Sequence, residues 1–485
     1  MPLSESRCAT IETMKPRFAF LLPLLLVSCA NAPDASEGTS FSDSEASSSQ
    51  TKTSSESPAA KDDPCAEPHF GRQYYLNHIG DICSTWQQYR GEGTTIAVID
   101  VGFNPEHEDF YFKDGTSKVS NQSAAFKVEG NQVKTTVGLA AITDLGESHG
   151  TFCAGVAAAA VNGKGVVGVA PEASLLLLRT DAKPKAIAKA MHYAADHQAT
   201  AISISIGSYY DYKGDLKDDG SDLGSVFDEP VAYCRSKGVP VISAAGNGGL
   251  DGMPTEYTFP GCVDGVIGVG GLAANSSQLI WSGSSYNYGS ESSFCDVFVN
   301  ADMMYGCCHY GGKTYDGGWN GTSFAAPQVA GMAALYFQKN PGKSVNDFEK
   351  DLYASCTKVD SYNPGMQGKM GKGRPDVAKL LKVSPKETTV NAKVKTSWKS
   401  CYAYLFDSTG KNKEPAAWPG KMLSLKNGTY AIEADLSKYD TVVFAESKTG
   451  AQTVDLALSS FVSGRTYSLT GAVTEVKCLV GKFVS

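Results

Sequence analysis

Gly321-Thr322-Ser323-Phe324-Ala325-Ala326-Pro327 is the stretch that decides how this chain is read. Two small residues lead into Ser323, and from Phe324 to Tyr336 the chain is apolar with almost no charge, as in a buried helix. A serine at such a helix start is exposed at the element's edge, and its own N–H can face a developing oxyanion. The positive end of the helix favours that charge. A Gly-Thr-Ser triplet is also a common turn, so the assignment depends on the rest of the chain.

Upstream, Thr95-Ile96-Ala97-Val98-Ile99-Asp100-Val101-Gly102 is an apolar strand that ends on a carboxylate beside a glycine. Buried parallel strands are continuous apolar runs, and α/β enzymes place their chemistry at the carboxyl ends of such strands. Further on, Ser148-His149-Gly150-Thr151-Phe152-Cys153-Ala154-Gly155 opens with a histidine and continues in small residues suited to close helix packing. Singly, Asp100 reads as a strand-end cap, His149 as a helix cap and Ser323 as a turn residue. Together, in the order Asp, His, Ser, they read as a nucleophilic triad.

Four blocks carry a family resemblance: Ala97 to Gly102, His149-Gly150-Thr151 with Ala154-Gly155, Ala244-Ala245-Gly246-Asn247, and Gly321 to Pro327. Over roughly Pro68 to Lys382 the chain resembles the subtilases, the subtilisin-like serine peptidases, and Cys153 resembles the cysteine of the proteinase K branch. The resemblance implies an α/β fold with a mostly parallel sheet flanked by helices. It implies that Ser323 attacks a peptide carbonyl, that His149 moves the proton, and that Asp100 orients and stabilises the imidazole. Asn247, which otherwise reads as a turn residue before Gly248-Gly249, would match the family's oxyanion asparagine. Ser205-Ile206-Gly207 would wall the pocket for the residue before the cleaved bond, with Ala244-Ala245-Gly246 opposite, leaving room for a large apolar side chain. Substrates would be proteins or peptides, the molecule a monomer, and the chemistry free of cofactors. Structural calcium is left open without ligands, because the loop of Asp211, Asp215, Asp218, Asp219 and Asp222 fits no standard calcium spacing.

The chain departs from the family pattern around residues 294–319. Val299-Asn300-Ala301 stands where Ala-Pro-Gly is usual, followed by the insert Tyr305-Gly306-Cys307-Cys308-His309-Tyr310. One histidine beside two adjacent cysteines reads as disulfide scaffolding rather than a metal site.

At the N-terminus, Met14-Lys15-Pro16-Arg17, the apolar run Phe18 to Val27, and Ser28-Cys29 read as a signal peptide over 1–28, with Met14 as an alternative start. Leu26-Val27-Ser28-Cys29 looks like a bacterial lipobox, which makes Cys29 the acylated first mature residue and the cell envelope the destination. Residues 29–64, rich in Ser, Ala, Glu, Asp and Thr, cannot bury enough surface to offset ordering entropy and read as a tether.

With 485 residues and 42% hydrophobic content, the chain is long enough for more than one domain with sizeable cores. A net charge of -8 argues against nucleic acid as a partner. Neither a phosphate loop with its lysine nor His-Glu-x-x-His occurs. Of 13 cysteines, Cys8 and Cys29 drop out with the export segment, leaving an odd number. Cys153, behind the histidine, is the expected thiol. Cys65 with Cys83, Cys234 with Cys262, and Cys401 with Cys478 are pairings from proximity, and Cys295, Cys307, Cys308 and Cys356 would share two bridges.

A peptidase domain is expected over 65–383, a linker over 384–392 and an all-β sandwich over 393–485, where apolar and polar residues alternate between turns such as Lys426-Asn427-Gly428. Tyr402-Ala403-Tyr404-Leu405-Phe406-Asp407, Ala417-Trp418-Pro419-Gly420 and Gln452-Thr453 look like a starch-binding carbohydrate module of family 26. That resemblance implies α-glucan as a ligand, with Tyr404, Trp418 and Gln452 as its contacts; aromatics at period two otherwise read as core. The reading is a lipid-anchored serine endopeptidase. The rival is a non-catalytic glycan-binding surface lipoprotein on a protease scaffold, against which the intact Asp100, His149, Asn247 and Ser323 set speaks.

Overall fold

The computed structural model describes residues 62–469, apart from 147, 210–222, 251, 253–257, 275, 290–293, 384–388, 408–412, 414, 415, 437, 440, 454, 455 and 459–465. The expected signal peptide, Cys29, most of the tether and the acidic loop from Asp211 to Asp222 therefore lie outside the described residues. Among the described residues no helix is long and apolar enough to cross a membrane. The chain divides into two units, the first ending at Val383 and the second beginning at Ser384.

The strands of the first unit are β1 (Thr95–Asp100), β2 (Ala124–Glu129), β3 (Gln132–Val137), β4 (Ser174–Thr180), β5 (Ala201–Ile204), β6 (Ser208–Tyr209), β7 (Val241–Ala244), β8 (Thr258–Phe259), β9 (Val266–Leu272), β10 (Val297–Asn300), β11 (Met304–Cys307) and β12 (Tyr315–Trp319). An eight-stranded sheet runs β10-β9-β7-β5-β1-β4-β2-β3 and is parallel except for the β2–β3 hairpin at its edge. β11 and β12 form a separate antiparallel hairpin.

Strand β1 lies inside this sheet and is apolar at both parities because both of its faces are covered. Ile96 and Val98 join one core with Phe152 and Val329, whereas Ala97 and Ile99 join the other with Met191 and Phe227. Strand β4 repeats the division, Leu175 and Leu177 against Leu176 and Leu178. The helices His149–Ala158 and Ala326–Lys339 contribute to the first core, and Pro184–Asp196 and Leu223–Ser236 to the second. At Gly331 a Cβ would stand 2.5 Å from Val169 Cβ, so only glycine allows the serine helix its close approach there.

The N-terminal lead-in is clipped to this body. The Gln73 side chain is fully buried and pairs with both main-chain groups of Val167, donating from Nε2 at 2.8 Å and accepting at Oε1 at 2.9 Å. Cys65 and Cys83 are bridged, as expected from their proximity. Trp86 Nε1 donates to the Val169 carbonyl at 2.9 Å.

The other expected bridges within the described residues are not formed, and the directions of the side chains explain this. Cys234 Sγ turns to the Met191 carbonyl at 3.4 Å, Cys295 to the Ser285 carbonyl at 3.5 Å, and Cys356 to the Leu352 carbonyl at 3.3 Å. Cys262 is a buried thiol. Adjacent Cys307 and Cys308 diverge, one onto Gly155 and the other toward Ser148 Oγ at 3.6 Å. Cys401 is also a thiol, and Cys478 lies outside the described residues.

The second unit contains β13 (Thr389–Lys395), β14 (Tyr402–Phe406), β15 (Lys421–Met422), β16 (Leu425–Lys426), β17 (Thr429–Asp435), β18 (Thr441–Ala445), β19 (Leu456–Ala457) and β20 (Thr466–Ser468). They form two four-stranded sheets, β16-β17-β13-β20 and β15-β14-β18-β19, around a core of Val390, Ala392, Val394, Leu405, Ile432 and Phe444 among others. β13 begins inside the expected linker 384–392, because Val390 and Ala392 are core residues of this unit. Asn427 and Gly428, with φ of 48° and 75°, make the two-residue turn between β16 and β17.

Candidate active site

Asp100 ends β1 fully buried. The helix His149–Ala158 passes so close to that strand end that a Cβ on Gly150 would stand 2.3 Å from the Gly102 carbonyl oxygen and 3.0 Å from Asp100 Cβ. This approach sets His149 Nδ1 at 2.9 and 3.0 Å from the two Asp100 oxygens. The carboxylate holds a proton on Nδ1 and leaves Nε2 as the base. Arg179 secures the strand end, donating to the Val101 carbonyl at 2.9 Å, the Thr143 carbonyl at 3.0 Å and Asp144 at 2.6 Å.

Burial acts to lower the pKa of His149, but the Asp100 carboxylate, then the Cys153 sulfur, outweigh it and hold the imidazole well above its ordinary 6.5. Cys153 lies one turn along, fully buried, with Sγ 3.9 Å from His149 Nδ1 and 3.4 Å from the Ser323 carbonyl, to which it donates. Its thiol is pushed up chiefly by burial, a poor setting for nucleophilic chemistry.

Ser323 sits in a 3-10 turn, Thr322–Phe324, just ahead of the regular helix, which starts at Ala326 rather than Phe324. Pro327 falls in the first helical turn, where its missing N–H costs nothing. Gly321 turns the chain at φ 151°. Ser323 and Ser205 exchange hydrogen bonds: Ser323 Oγ donates to the Ser205 carbonyl at 2.9 Å, and Ser205 Oγ to the Ser323 carbonyl at 2.7 Å.

Asn247 follows β7. Its Oδ1 accepts from both the N–H and the hydroxyl of Thr322, each at 2.9 Å, which fixes the amide so that Nδ2 lies on the Gly321 side. Thr322, buried between Gly321 and Ser323, thus orients the asparagine, a role that its place as one of two small residues before Ser323 does not reveal in the sequence.

Of the pocket segments, Ser205, Ala244, Ala245 and Gly246 are buried, Ile206 is half-buried and Gly207 exposed. Thr258 stands against both walls. A Cβ on Gly246 would lie 2.2 Å from Thr258 Oγ1, and one on Gly207 would lie 3.3 Å from Thr258 Cγ2. The space released by the two glycines is therefore used by Thr258, which departs from the open pocket expected from small wall residues. Thr258 Oγ1 is buried without a hydrogen-bond partner among the described residues.

The β11–β12 insert braces the histidine helix without any disulfide. Trp319 stacks on Phe152 at 5.2 Å and meets Phe324 edge-on at 5.9 Å. The His309 N–H donates to Ser148 Oγ at 3.1 Å, and Nε2 lies 2.9 Å from the Asp144 carbonyl. Among the described residues, two groups bring three ion-binding side chains together, Asp100-His149-Cys153 and His107-Asp109-Cys307. Both mix nitrogen, oxygen and sulfur, which does not fit calcium's preference for oxygen alone.

In the second unit, β14 turns Ala403 and Leu405 inward and leaves Tyr402, Tyr404 and Phe406 half-buried on the other face. Tyr404 lies 5.7 Å from Trp418, edge-on, and 6.0 Å from Phe406. Trp418 Nε1 donates to the Lys448 carbonyl at 3.0 Å. Gln452 bridges to Ala445, the β18 residue opposite Tyr402.

Known proteins resemble this chain over much of its first unit. Subtilisin DY of Bacillus licheniformis is 29% identical over 285 residues, 58% of this chain and 89% of that one. Thermitase of Thermoactinomyces vulgaris is 28% identical over 323 residues, 65% of this chain and 98% of that one. Among solved structures, fervidolysin from Fervidobacterium pennivorans, a keratinolytic enzyme related to subtilisin, shares the fold with a TM-score of 0.52 at 20% identity, over 80% of this chain and 57% of that one. The epidermin leader peptide processing serine protease of Staphylococcus aureus does so with a TM-score of 0.53 at 22% identity, over 67% and 84%. Residues 91–373 match the model of the Subtilase family, and the chain belongs to that family of serine endopeptidases.

Proposed function

We propose that this chain is an exported, lipid-anchored endopeptidase that cleaves proteins through an acyl-enzyme on Ser323. The observation that carries the reading is the two-oxygen grip of Asp100 on His149 Nδ1, which leaves Nε2 as a base whose own pKa is raised. Ser323 Oγ turns from the Ser205 carbonyl to Nε2, gives up its proton, and bonds to the substrate carbonyl carbon. The resulting oxyanion is met by the Ser323 N–H and by Asn247 Nδ2. His149 then passes the proton to the leaving amine, and water repeats the sequence to release the acid. The Ser205 carbonyl, relieved of the serine proton, accepts a substrate main-chain N–H. Thr258 favours a small or hydroxyl-bearing side chain before the cleaved bond.

Cys29 supplies the anchor in this reading and residues 29–64 the tether. The Tyr404, Trp418 and Gln452 face takes an α-glucan, so that the second unit holds the enzyme near polysaccharide. The test is labelling of the full chain with a fluorophosphonate probe. Wild type should label and Ser323→Ala should not. Equal labelling of both would refute the nucleophile, and no labelling of a folded wild type would refute the activated serine.

A further inference from the structure

Cys307, on the inner side of the β11–β12 insert, has no part in the peptidase chemistry, yet its surroundings are built with care. It is fully buried, and a Cβ on Gly155 would lie 2.5 Å from its sulfur, so the histidine helix keeps a glycine where the thiol rests. Facing it are His107 and Asp109, from the segment after β1; they are 2% and 0% exposed. One donor atom from each of the three residues lies within 4.8 Å of the other two.

The hydrogen bonds around the three leave one donor atom bare and another weakly held. His107 Nε2 donates to the Thr314 carbonyl at 2.8 Å, which puts the lone pair on Nδ1; that lone pair accepts the Asp109 N–H at 3.2 Å, a long bond that an ion would displace. Asp109 Oδ2 accepts the Val166 N–H at 3.0 Å, while Oδ1, also buried, has no hydrogen-bond partner among the described residues; the neighbouring Tyr315 hydroxyl donates to Glu108 instead, at 2.9 Å. A histidine whose far nitrogen is tied to a carbonyl, and a carboxylate with one oxygen tied and one bare, is the outer-shell pattern of metal ligands. An unpartnered buried carboxylate oxygen is otherwise costly.

We propose that His107 Nδ1, Asp109 Oδ1 and Cys307 Sγ bind one divalent, thiophilic ion of the zinc type, which staples the β11–β12 insert to the segment following β1. The mixed nitrogen, oxygen and sulfur set suits zinc and excludes calcium or magnesium as the preferred ion. On binding, the Cys307 thiol, and the buried Asp109 carboxyl wherever it is still protonated, lose their protons to solvent. The 2+ charge then meets one carboxylate and one thiolate, so the buried cluster is neutral overall. Tetrahedral bonds of about 2.0–2.3 Å place donors roughly 3.3–3.5 Å apart, so each side chain moves inward by about an ångström or less. Three protein donors leave one position for water.

The test uses the full chain, stripped with EDTA and titrated with zinc and with cobalt. Wild type should bind one equivalent, show thiolate-to-cobalt charge-transfer absorption, and unfold several degrees higher with zinc. Cys307→Ala and Asp109→Asn should weaken binding by more than tenfold, while Cys153→Ala should keep the cobalt band. Absence of the band in wild type overturns the proposal, whether or not the variants fold. So does equal binding by Cys307→Ala, or loss of the band in Cys153→Ala, which would move the ion to the Asp100-His149-Cys153 group.

Discussion

Gly150→Ala tests whether the catalytic geometry depends on one backbone approach. The added Cβ would lie 2.3 Å from the Gly102 carbonyl oxygen, and 3.0 Å from Asp100 Cβ. Ordinary carbon–oxygen contacts stop near ~3.3 Å, so the helix must retreat by about 1 Å. His149 is the adjacent residue and moves with it, stretching its 2.9 Å bond to Asp100 toward ~3.9 Å, beyond hydrogen-bond reach. A misplacement of that size costs about a hundredfold in rate, or about 2.7 kcal/mol. The loss should fall mainly on kcat, because the pocket walls at the ends of β5 and β7 are not disturbed. Overpacking adds a destabilisation of about 1–3 kcal/mol. Hydrolysis of a chromogenic peptide and thermal unfolding measure both effects. Gly71→Ala is the control, since nothing lies within 4 Å of a Cβ there. Gly150→Ala activity within about threefold of wild type, with unchanged unfolding, would refute the argument.

Three further outcomes are expected. Asn247→Asp keeps the oxygen that Thr322 grips but removes the amide donor, so kcat should drop about 10²–10³-fold with little change in melting temperature; a large stability loss would instead assign Asn247 a packing role. Because the folded pKa of His149 is raised, kcat/KM should climb with pH through a value above 6.5, and the stability contributed by its ion pair should be full below about pH 6.5 and lost as pH rises through the folded value; an acid limb below 6.5 would contradict this. Thr258→Gly should raise kcat/KM for substrates with large side chains before the cleaved bond relative to small ones, measured on a peptide panel, and an unchanged ranking would remove Thr258 from the pocket.

The triad blocks were legible because each chemical requirement imposes a local pattern: β1 must be apolar at both parities, Gly150 must follow His149, and Gly321 must turn the chain before Ser323. The β11–β12 insert was not legible. Cys307-Cys308 resembles disulfide scaffolding in one dimension, but Cys307 closes β11 and Cys308 follows it with its sulfur turned toward Ser148, so the neighbouring thiols take unrelated partners. Thr258 was missed because its place depends on the two-residue pairing of β8 with β6, Tyr209 opposite Thr258, a contact across nearly fifty residues of sequence. In the second unit, periodicity showed alternation along Tyr402 to Phe406 but not which parity faced the core.

The Cys65–Cys83 bridge, together with the Gln73 clip, determines how the first unit would bear a mechanical load. A pull on the chain ahead of Cys65 passes through the covalent bond to Cys83, 18 positions on, and bypasses the span between them. From Cys83 the force enters the helix Ile82–Trp86, which is held to the body through Trp86 and the Val169 carbonyl. Gln73, inside the shielded loop, carries none of it, so its pairing with Val167 stays intact under tension. Reduction of the bridge would pass the load into that span, onto the Glu67–Gly163 and His69–Gly165 hydrogen bonds first and onto the Gln73 clip behind them.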